Sequence, residues 1–475
     1  MRSDGMKRVS LCLKSVAIAI VFLTASSLYC TAGRNSSIGA YHENDPAQVV
    51  LLHEPGAELL YGLLHPAAAL FQNSFDREEA VMEHRRFRDL LNSMGLKTYL
   101  VEELLLSNTI KNDGRVVPGS DLQSLKHLAE QFLKFDTTEL EGQFSELQSE
   151  ARAMEPGTHQ ENLLAQLDTF KPQLDETYLI NYKRNIIDGL SPKELIRVIF
   201  EKPTLRLNLS SEVRENKMHL RLGARYHLNP VMNLYFARDP LVTTSNGIVL
   251  GRMAEHVREP EVDIMSVILR KLNVSPIYKV QEPGMLEGGD FLPAGRIVFQ
   301  GIGLRTNFEA VKQLLMHDAY GTDEVVVVKD LFDQDMNRMH LDTIFNIVGK
   351  NQVLLLEDVL TDDKMRRLVD VYARREKTEG TVGPYKKIVS DKDFGEFLRE
   401  RRFEVIKVTD KEQKLFAVNI LNVGNGTIIT PYNGSDYSAR LSEAGIKAVF
   451  VDFNNLSRGW GAAHCMTQVI SRVKQ

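Results

Sequence analysis

Short apolar runs rich in β-branched residues recur from one end of the chain to the other, and between them the apolar spacing changes to that of helices. Residues 49–52, 325–328, 353–356 and 448–451 are such runs, each bounded by polar residues or glycine, which is the pattern of strands buried on both faces. Residues 77–94 and 307–316 carry their apolar positions on one side, with Phe308, Val311, Leu314 and Leu315 forming the stripe of the second. A chain that alternates the two periods is expected to fold as α/β. One stretch departs from this. From about 111 to 220 the sequence is rich in Leu, Glu, Gln and Lys, with Leu122, Leu125, Leu128 and Phe132 at helical spacing and breaks at Gly157 and Pro172, so an inserted helical segment is expected there.

The N-terminal region stands apart from both patterns. Arg2, Lys7, Arg8 and Lys14 precede an apolar run over 16–28, a basic segment followed by a run shorter than the ~20 residues a spanning helix needs. Residues 1–32 read as a signal peptide cleaved near Ala32, which leaves 33–475 as an exported chain without stable membrane association. A cytoplasmic protein with an apolar extension is the alternative. Cleavage would remove Cys12 and Cys30, and Cys465 would be the one thiol left. Such a thiol has no internal disulfide partner, so it is either inert and buried or kept for chemistry. The chain carries 58 Lys+Arg against 63 Asp+Glu, a formal net charge of −5, which offers nucleic acid no basic footprint.

Four polar constellations follow in order. An aromatic, strand-like run from Asn233 ends in Arg238-Asp239-Pro240 and places a carboxylate where a turn begins. Glu287-Gly288-Gly289-Asp290 sets a flexible glycine pair between two acids, where the backbone can pass close to a ligand, and Gly301-Ile302-Gly303 leads to Arg305, whose guanidinium suits an anion. The Lys-Ser/Thr of a phosphate loop is missing. His340 and Asp342 stand two apart, on one face of a strand, where an imidazole and a carboxylate can address the same small space. No second histidine pair, HExxH or CxxC completes a zinc shell, so neither metal nor organic cofactor is expected. Last, Arg458-Gly459-Trp460-Gly461-Ala462-Ala463-His464-Cys465 puts the lone thiol in a loop of small residues, the reverse of an inert core cysteine. Cys465 is therefore read as a nucleophile, with His340 and Asp342 as partners from elsewhere in the chain.

Taken together, these motifs resemble those of the arginine deiminases, within the guanidino-modifying superfamily that includes amidinotransferases and dimethylarginine hydrolases. The resemblance runs from about 49 to 472 and includes Leu51-Leu52-His53-Glu54-Pro55-Gly56, Asp239 in its Phe-x-Arg-Asp-Pro motif, Glu287 in Glu-Gly-Gly-Asp, His340 in Met-His-Leu-Asp-Thr and Cys465 in His-Cys-Met-Thr. It implies a five-bladed pseudosymmetric α/β propeller with the site along its axis and a helical insertion near 111–220. The activity it implies is hydrolysis of L-arginine to L-citrulline and ammonia through a covalent cysteine thiouronium. Cys465 would attack, His340 would shuttle protons, Asp239 and Asp342 would grip the guanidinium, and Glu287 would position it. Carboxylates are the natural partners of a planar, permanently charged group with several N–H donors.

Asn233, Arg258 and Arg305 match the positions that hold the substrate's amino-acid end. L-arginine and water are then the partners, and a homo-oligomer is compatible with the sequence. A substrate cation about 4 Å from a thiolate contributes roughly 4 kcal/mol at an effective dielectric near 20, so Cys465 is expected to be neutral until substrate binds. Relatives commonly carry Arg in a glycine-rich loop five residues before the cysteine, whereas this chain has Trp460 there and Ala462 and Ala463 in place of glycines. The alternatives are agmatine deimination, dimethylarginine hydrolysis, amidinotransfer, or a non-catalytic binding protein. Arg258 and Arg305 disfavour agmatine, which lacks a carboxylate, and retention of all five catalytic candidates disfavours the last.

Overall fold

In the computed structural model, residues 38–214, 217–375 and 384–475 are described. The expected signal peptide over 1–32 lies outside the described residues.

The sheets are small and repeat one plan: an antiparallel pair, a helix, and a third strand that returns parallel to the second. Leu241–Thr244 pairs with Gly247–Leu250, the helix Glu259–Lys271 follows, and Tyr278–Lys279 returns beside Gly247–Leu250. The same order is found in Phe291–Ala294, Ile297–Ile302, the helix Phe308–Met316 and Glu324–Lys329. It recurs in Phe345–Ile347, Gln352–Leu356, the helix Phe394–Glu400 and Glu404–Val408, and again in Leu421–Gly424, Thr427–Thr430, the helix Ser435–Glu443 and Lys447–Phe450. A further unit joins the two ends of the described chain. Gln468–Arg472 pairs antiparallel with Ala47–Leu52, the helix Arg77–Ser93 follows, and Lys97–Leu100 returns in parallel. Glu324–Lys329 also carries the antiparallel strands Leu368–Arg374 and Tyr385–Asp393, which widens that sheet to five strands. The fold is mixed α/β, as the alternating periods require.

Local chemistry sets these boundaries. A parallel return needs a crossover, and each crossover helix needs its free N–H groups capped. Asp76, Asn307 and Asp393 do this, accepting from the backbone N–H of Glu79, Ala310 and Glu396 at 3.0, 3.1 and 3.0 Å. Strand 324–329 is buried from Val325 to Val328 because sheet neighbours lie on both edges and side chains cover both faces, so its sequence runs apolar instead of alternating. Phe299 gathers Phe345, Phe403 and Phe394 with ring centroids 4.8, 5.6 and 6.0 Å away, each buried ring contributing about 1.5–3 kcal/mol.

The segment expected to be helical needs correction. Helices do fill Ser120–Phe132, Thr138–Ala153, Thr158–Phe170, Glu176–Gly189 and Pro192–Glu201. They share the region with a three-stranded sheet of Lys134–Asp136, Pro203–Arg214 and Lys217–Leu228, whose long hairpin passes the expected end at 220. The reason is a period-two pattern: Leu205, Leu207 and Leu209 alternate with polar residues, as do Met218, Leu220 and Leu222. Leu207 and Leu209 pack with Leu140, Phe144, Leu163 and Leu167 in a separate apolar cluster. Among the described residues no helix is long and apolar enough to cross a membrane.

Candidate active site

Two of the expected local structures differ from what the sequence suggested, and each difference shapes the site. Asp239 does not follow a strand: 232–235 and 237–240 are turns, and the strand Leu241–Thr244 starts after Pro240, which has no N–H for a ladder. His340 and Asp342 do not share a strand face either. His340 is extended, and Leu341–Thr343 forms a tight turn in which the Thr343 hydroxyl donates to the His340 carbonyl at 2.6 Å. This turn sends the two side chains to different partners. The glycine pair admits the protein's own groups. A Cβ on Gly288 would stand 2.1 Å from the Arg238 carbonyl, and one on Gly289 would stand 2.7 Å from His340 Cγ. Only glycine lets this turn press against both.

His340 Nε2 lies 2.8 Å from Glu287 Oε2, and its Nδ1 lies 3.9 Å from Asp239 Oδ1. Burial opposes a charged imidazole, but Asp239, the hydrogen bond to Glu287 and the charge of Asp290 together hold the His340 pKa well above its ordinary value. Glu287 is correspondingly held low, against its own burial, by His340, Arg258 and Arg305. Cys465 is 4% exposed, and its Sγ is 3.5 Å from Asp342 Oδ2. Burial first, then the carboxylates of Asp342 and Asp239, push the thiol well above its usual range. The expectation of a neutral thiol in the substrate-free protein agrees with this direction.

Three residues near these groups were not singled out from the sequence. His464 Nδ1 meets Asp342 Oδ2 at 2.7 Å; its place beside the cysteine was the available signal. Asn419, from a turn before the strand Leu421–Gly424, reaches Cys465 Sγ at 3.0 Å. Glu261 takes Arg258 Nε and Nη2 at 3.0 and 2.8 Å. Asn419 has no motif around it, and only folding brings it to the thiol.

Arg258 is buried with its guanidinium among acids. Its Nη1 donates to Asp239 Oδ2 at 2.7 Å and lies 4.0 Å from Glu287 Oε2, while Glu261 holds the other edge. Arg305 is also buried, but its partner Glu255, 3.2 Å from Nη1, has a side chain 46% exposed. Asn233 donates from Nδ2 to the Ala69 carbonyl at 3.0 Å. All three border one cavity with Cys465, His340 and Trp460. The backbone of Trp460 is left-handed at φ +73°. The cavity measures about 20 Å³, room for about one water.

Asp239, Glu287 and His340 offer ligand atoms all within 4.8 Å of one another, the spacing a metal ion requires. Each already faces a partner of opposite sign: Arg258 on Asp239, and the imidazole and Glu287 on each other. The cluster is thus charge-balanced by the protein's own groups.

The carboxylate of Asp239 on a buried cavity, with Asp342 against the thiol and Glu287 against the imidazole, offers acceptors to a planar cationic group. The arginine deiminase family model matches residues 176–472, and the chain belongs to that family. An arginine deiminase from Halobacterium salinarum is 26% identical, with 93% of this chain and 98% of the relative aligned. One from Borrelia recurrentis is 25% identical, over 92% and 98%. Among solved structures, DDAH from Pseudomonas aeruginosa complexed with citrulline has a TM-score of 0.46 at 12% identity, covering 89% of this chain and 98% of that one.

Proposed function

We infer that this protein hydrolyses L-arginine to L-citrulline and ammonia, with Cys465 as nucleophile. The observation that carries the reading is the thiol standing 3.5 Å from Asp342 beside the same cavity as the His340–Glu287 pair. The guanidinium settles between Asp239 and Asp342, its charge favours the thiolate, and the thiol proton passes to solvent. The thiolate attacks the guanidino carbon. His340 gives its proton to the departing nitrogen, the C–N bond breaks, and ammonia leaves a thiouronium. Neutral His340 then takes a proton from water as the oxygen bonds to the same carbon. The C–S bond breaks, citrulline leaves, and the hydroxyl proton of the adduct restores the thiol. Glu287 keeps the imidazole protonated and oriented for the first half.

Asn233, Arg258 and Arg305 hold the amino-acid end in this reading. Arg305 is the freer of the two arginines, since Arg258 is committed to Asp239 and Glu261. The repeated strand plan, and the pairing of Gln468–Arg472 with Ala47–Leu52, support closure of the five units as a propeller. On that reading 33–475 is one catalytic body interrupted by the insertion. The basic and apolar N-terminal segment supports export, and N-terminal sequencing of the native protein should then begin near residue 33.

The test of the activity is citrulline release from arginine, agmatine and dimethylarginine, with a further arm of arginine plus an amine acceptor. Release from arginine in water is expected. Turnover of another member of the panel with none of arginine overturns the assignment.

A further inference from the structure

Asn419 is 1% exposed and holds two loops at once. Its Oδ1 accepts from the backbone N–H of Ala462 at 2.9 Å and of Cys465 at 3.3 Å. Two N–H donors converging on one end of the amide leave only one orientation, because an NH₂ group there would face donors with donors. Nδ2 must therefore face the other way. It lies 3.0 Å from Cys465 Sγ and 3.4 Å from the Asp342 carbonyl. The charges that act most on the sulfur are the carboxylates of Asp342 and Asp239, and a carboxylate beside a thiolate destabilises it. Among the described residues, Asn419 Nδ2 is the donor that the structure gives to this sulfur.

We propose that Asn419 is a catalytic residue whose amide N–H stabilises the Cys465 thiolate, both before attack on the substrate carbon and when the sulfur leaves the adduct. The proposal rests on the reading of Cys465 as nucleophile. The donor is fixed before substrate arrives, because its own carbonyl is tied to the loop that carries the cysteine. A preorganised donor aimed at an atom that gains negative charge is the arrangement that helps most in a buried site. The sequence gives no sign of it, as Asn419 stands 46 residues from Cys465.

The test separates holding the loop from donating to sulfur. Asn419→Asp keeps a carbonyl-like oxygen for the two backbone N–H groups and replaces the donor with a second oxygen. The readout is the rate of iodoacetamide alkylation of Cys465 at pH 9 in the full chain, followed on the Cys465 peptide by mass spectrometry, together with citrulline release. A rate at least tenfold below wild type, with kcat down about 30-fold or more, is expected. Alkylation within threefold of wild type overturns the proposal whatever the activity does, since a lost loop contact alone leaves the thiol's ionisation in place. If circular dichroism shows the aspartate variant unfolded, Asn419→Ser, too short to reach the sulfur, is judged by the same limits. Alkylation needs no substrate, so a wild type that fails to release citrulline would refute the assigned reaction while the thiol measurement still decides the donor.

Discussion

His464 Nδ1 stands 2.7 Å from Asp342 Oδ2, and neither side chain has any surface open to solvent. The pair works with a neutral imidazole: burial, then the nearby Arg238, pulls the His464 pKa down, so its N–H donates to a carboxylate without adding a charge. Asp342, despite its burial, is held below the usual carboxylate range by that bond and by the charges around it. Replacing His464 by Phe should strand a buried carboxylate and cost about 3 kcal/mol of folding stability. Asp342 would then ionise at higher pH, and the acid limb of the kcat/KM profile should move upward. Urea unfolding and a pH–rate profile check the two effects, and an unmoved acid limb would remove His464 from the site.

Cys465→Ala should abolish citrulline release and leave the fold intact. On the proposed mechanism the thiol contributes the nucleophile, while its neighbours Ala462, Ala463 and Met466 keep the packing. His340→Ala should be severely impaired as well, because it also leaves Glu287 without its imidazole. Residual activity within tenfold of wild type in the cysteine variant, with an unchanged circular dichroism spectrum, would rule out the nucleophile.

His84 makes a prediction about acid stability that is independent of catalysis. It is fully buried, and neither ring nitrogen has a hydrogen-bond partner. Burial, and then His53, Arg88 and Arg85, lower its pKa from 6.5 to about 3. The unfolded chain therefore takes up a proton near pH 6.5 that the folded protein refuses, so stability falls as pH drops from 6.5 towards 3. The slope from this one group approaches about 1.4 kcal/mol per pH unit. Urea midpoints at pH 7 and pH 5 should differ less in His84→Leu than in wild type. Equal pH dependence in the two proteins would show that His84 is protonated in the fold.

Much of this molecule was legible in the sequence, and the misses have a common physical cause. Strands such as Glu324–Lys329 and helices such as Phe308–Met316 were visible because burial on two faces or on one stripe leaves a period in the chain. The hairpin Pro203–Arg214 with Lys217–Leu228 is equally periodic, but its alternation of Leu with Arg, Asn and Ser follows directly on a helical region of similar composition, which hides the change of period. The groups proposed to carry chemistry could be named from motifs, yet not their partners. That Asp342 turns to His464, that Arg258 lies against Asp239 and that Asn419 reaches Cys465 are contacts across 122, 19 and 46 residues. Such contacts depend on how turns aim side chains. His340 and Asp342 show this directly, since a strand would have put them on one face and the observed turn parts them.

The two buried arginines should separate in their effect on substrate choice. Arg305 has Glu255, half exposed, as its ion-pair partner, and Glu287, on which its charge also acts, keeps His340 and Arg258, so its removal leaves no acid stranded in the cavity. If it binds the substrate's carboxylate, a charge-assisted hydrogen bond of about 1.5–3 kcal/mol is lost, which is about 10- to 150-fold in kcat/KM for arginine. Agmatine has no carboxylate, so its turnover in Arg305→Ala should change by less than about threefold on the same argument. Arg258→Ala is different, because it strips a partner from Asp239 and from Glu261 at once. Burial already raises the Glu261 pKa to about 7, against the pull of Arg258, and without the guanidinium Glu261 would take up a proton. Asp239 would then lose an aligned neighbour, and arginine and agmatine should suffer together. The measurement is kcat/KM for both substrates in wild type and both variants, with folding checked by circular dichroism. Equal proportional losses on the two substrates in Arg305→Ala would deny it a role in choosing between them, and an arginine-selective loss in Arg258→Ala would show that this guanidinium leaves Asp239 to meet the substrate's carboxylate.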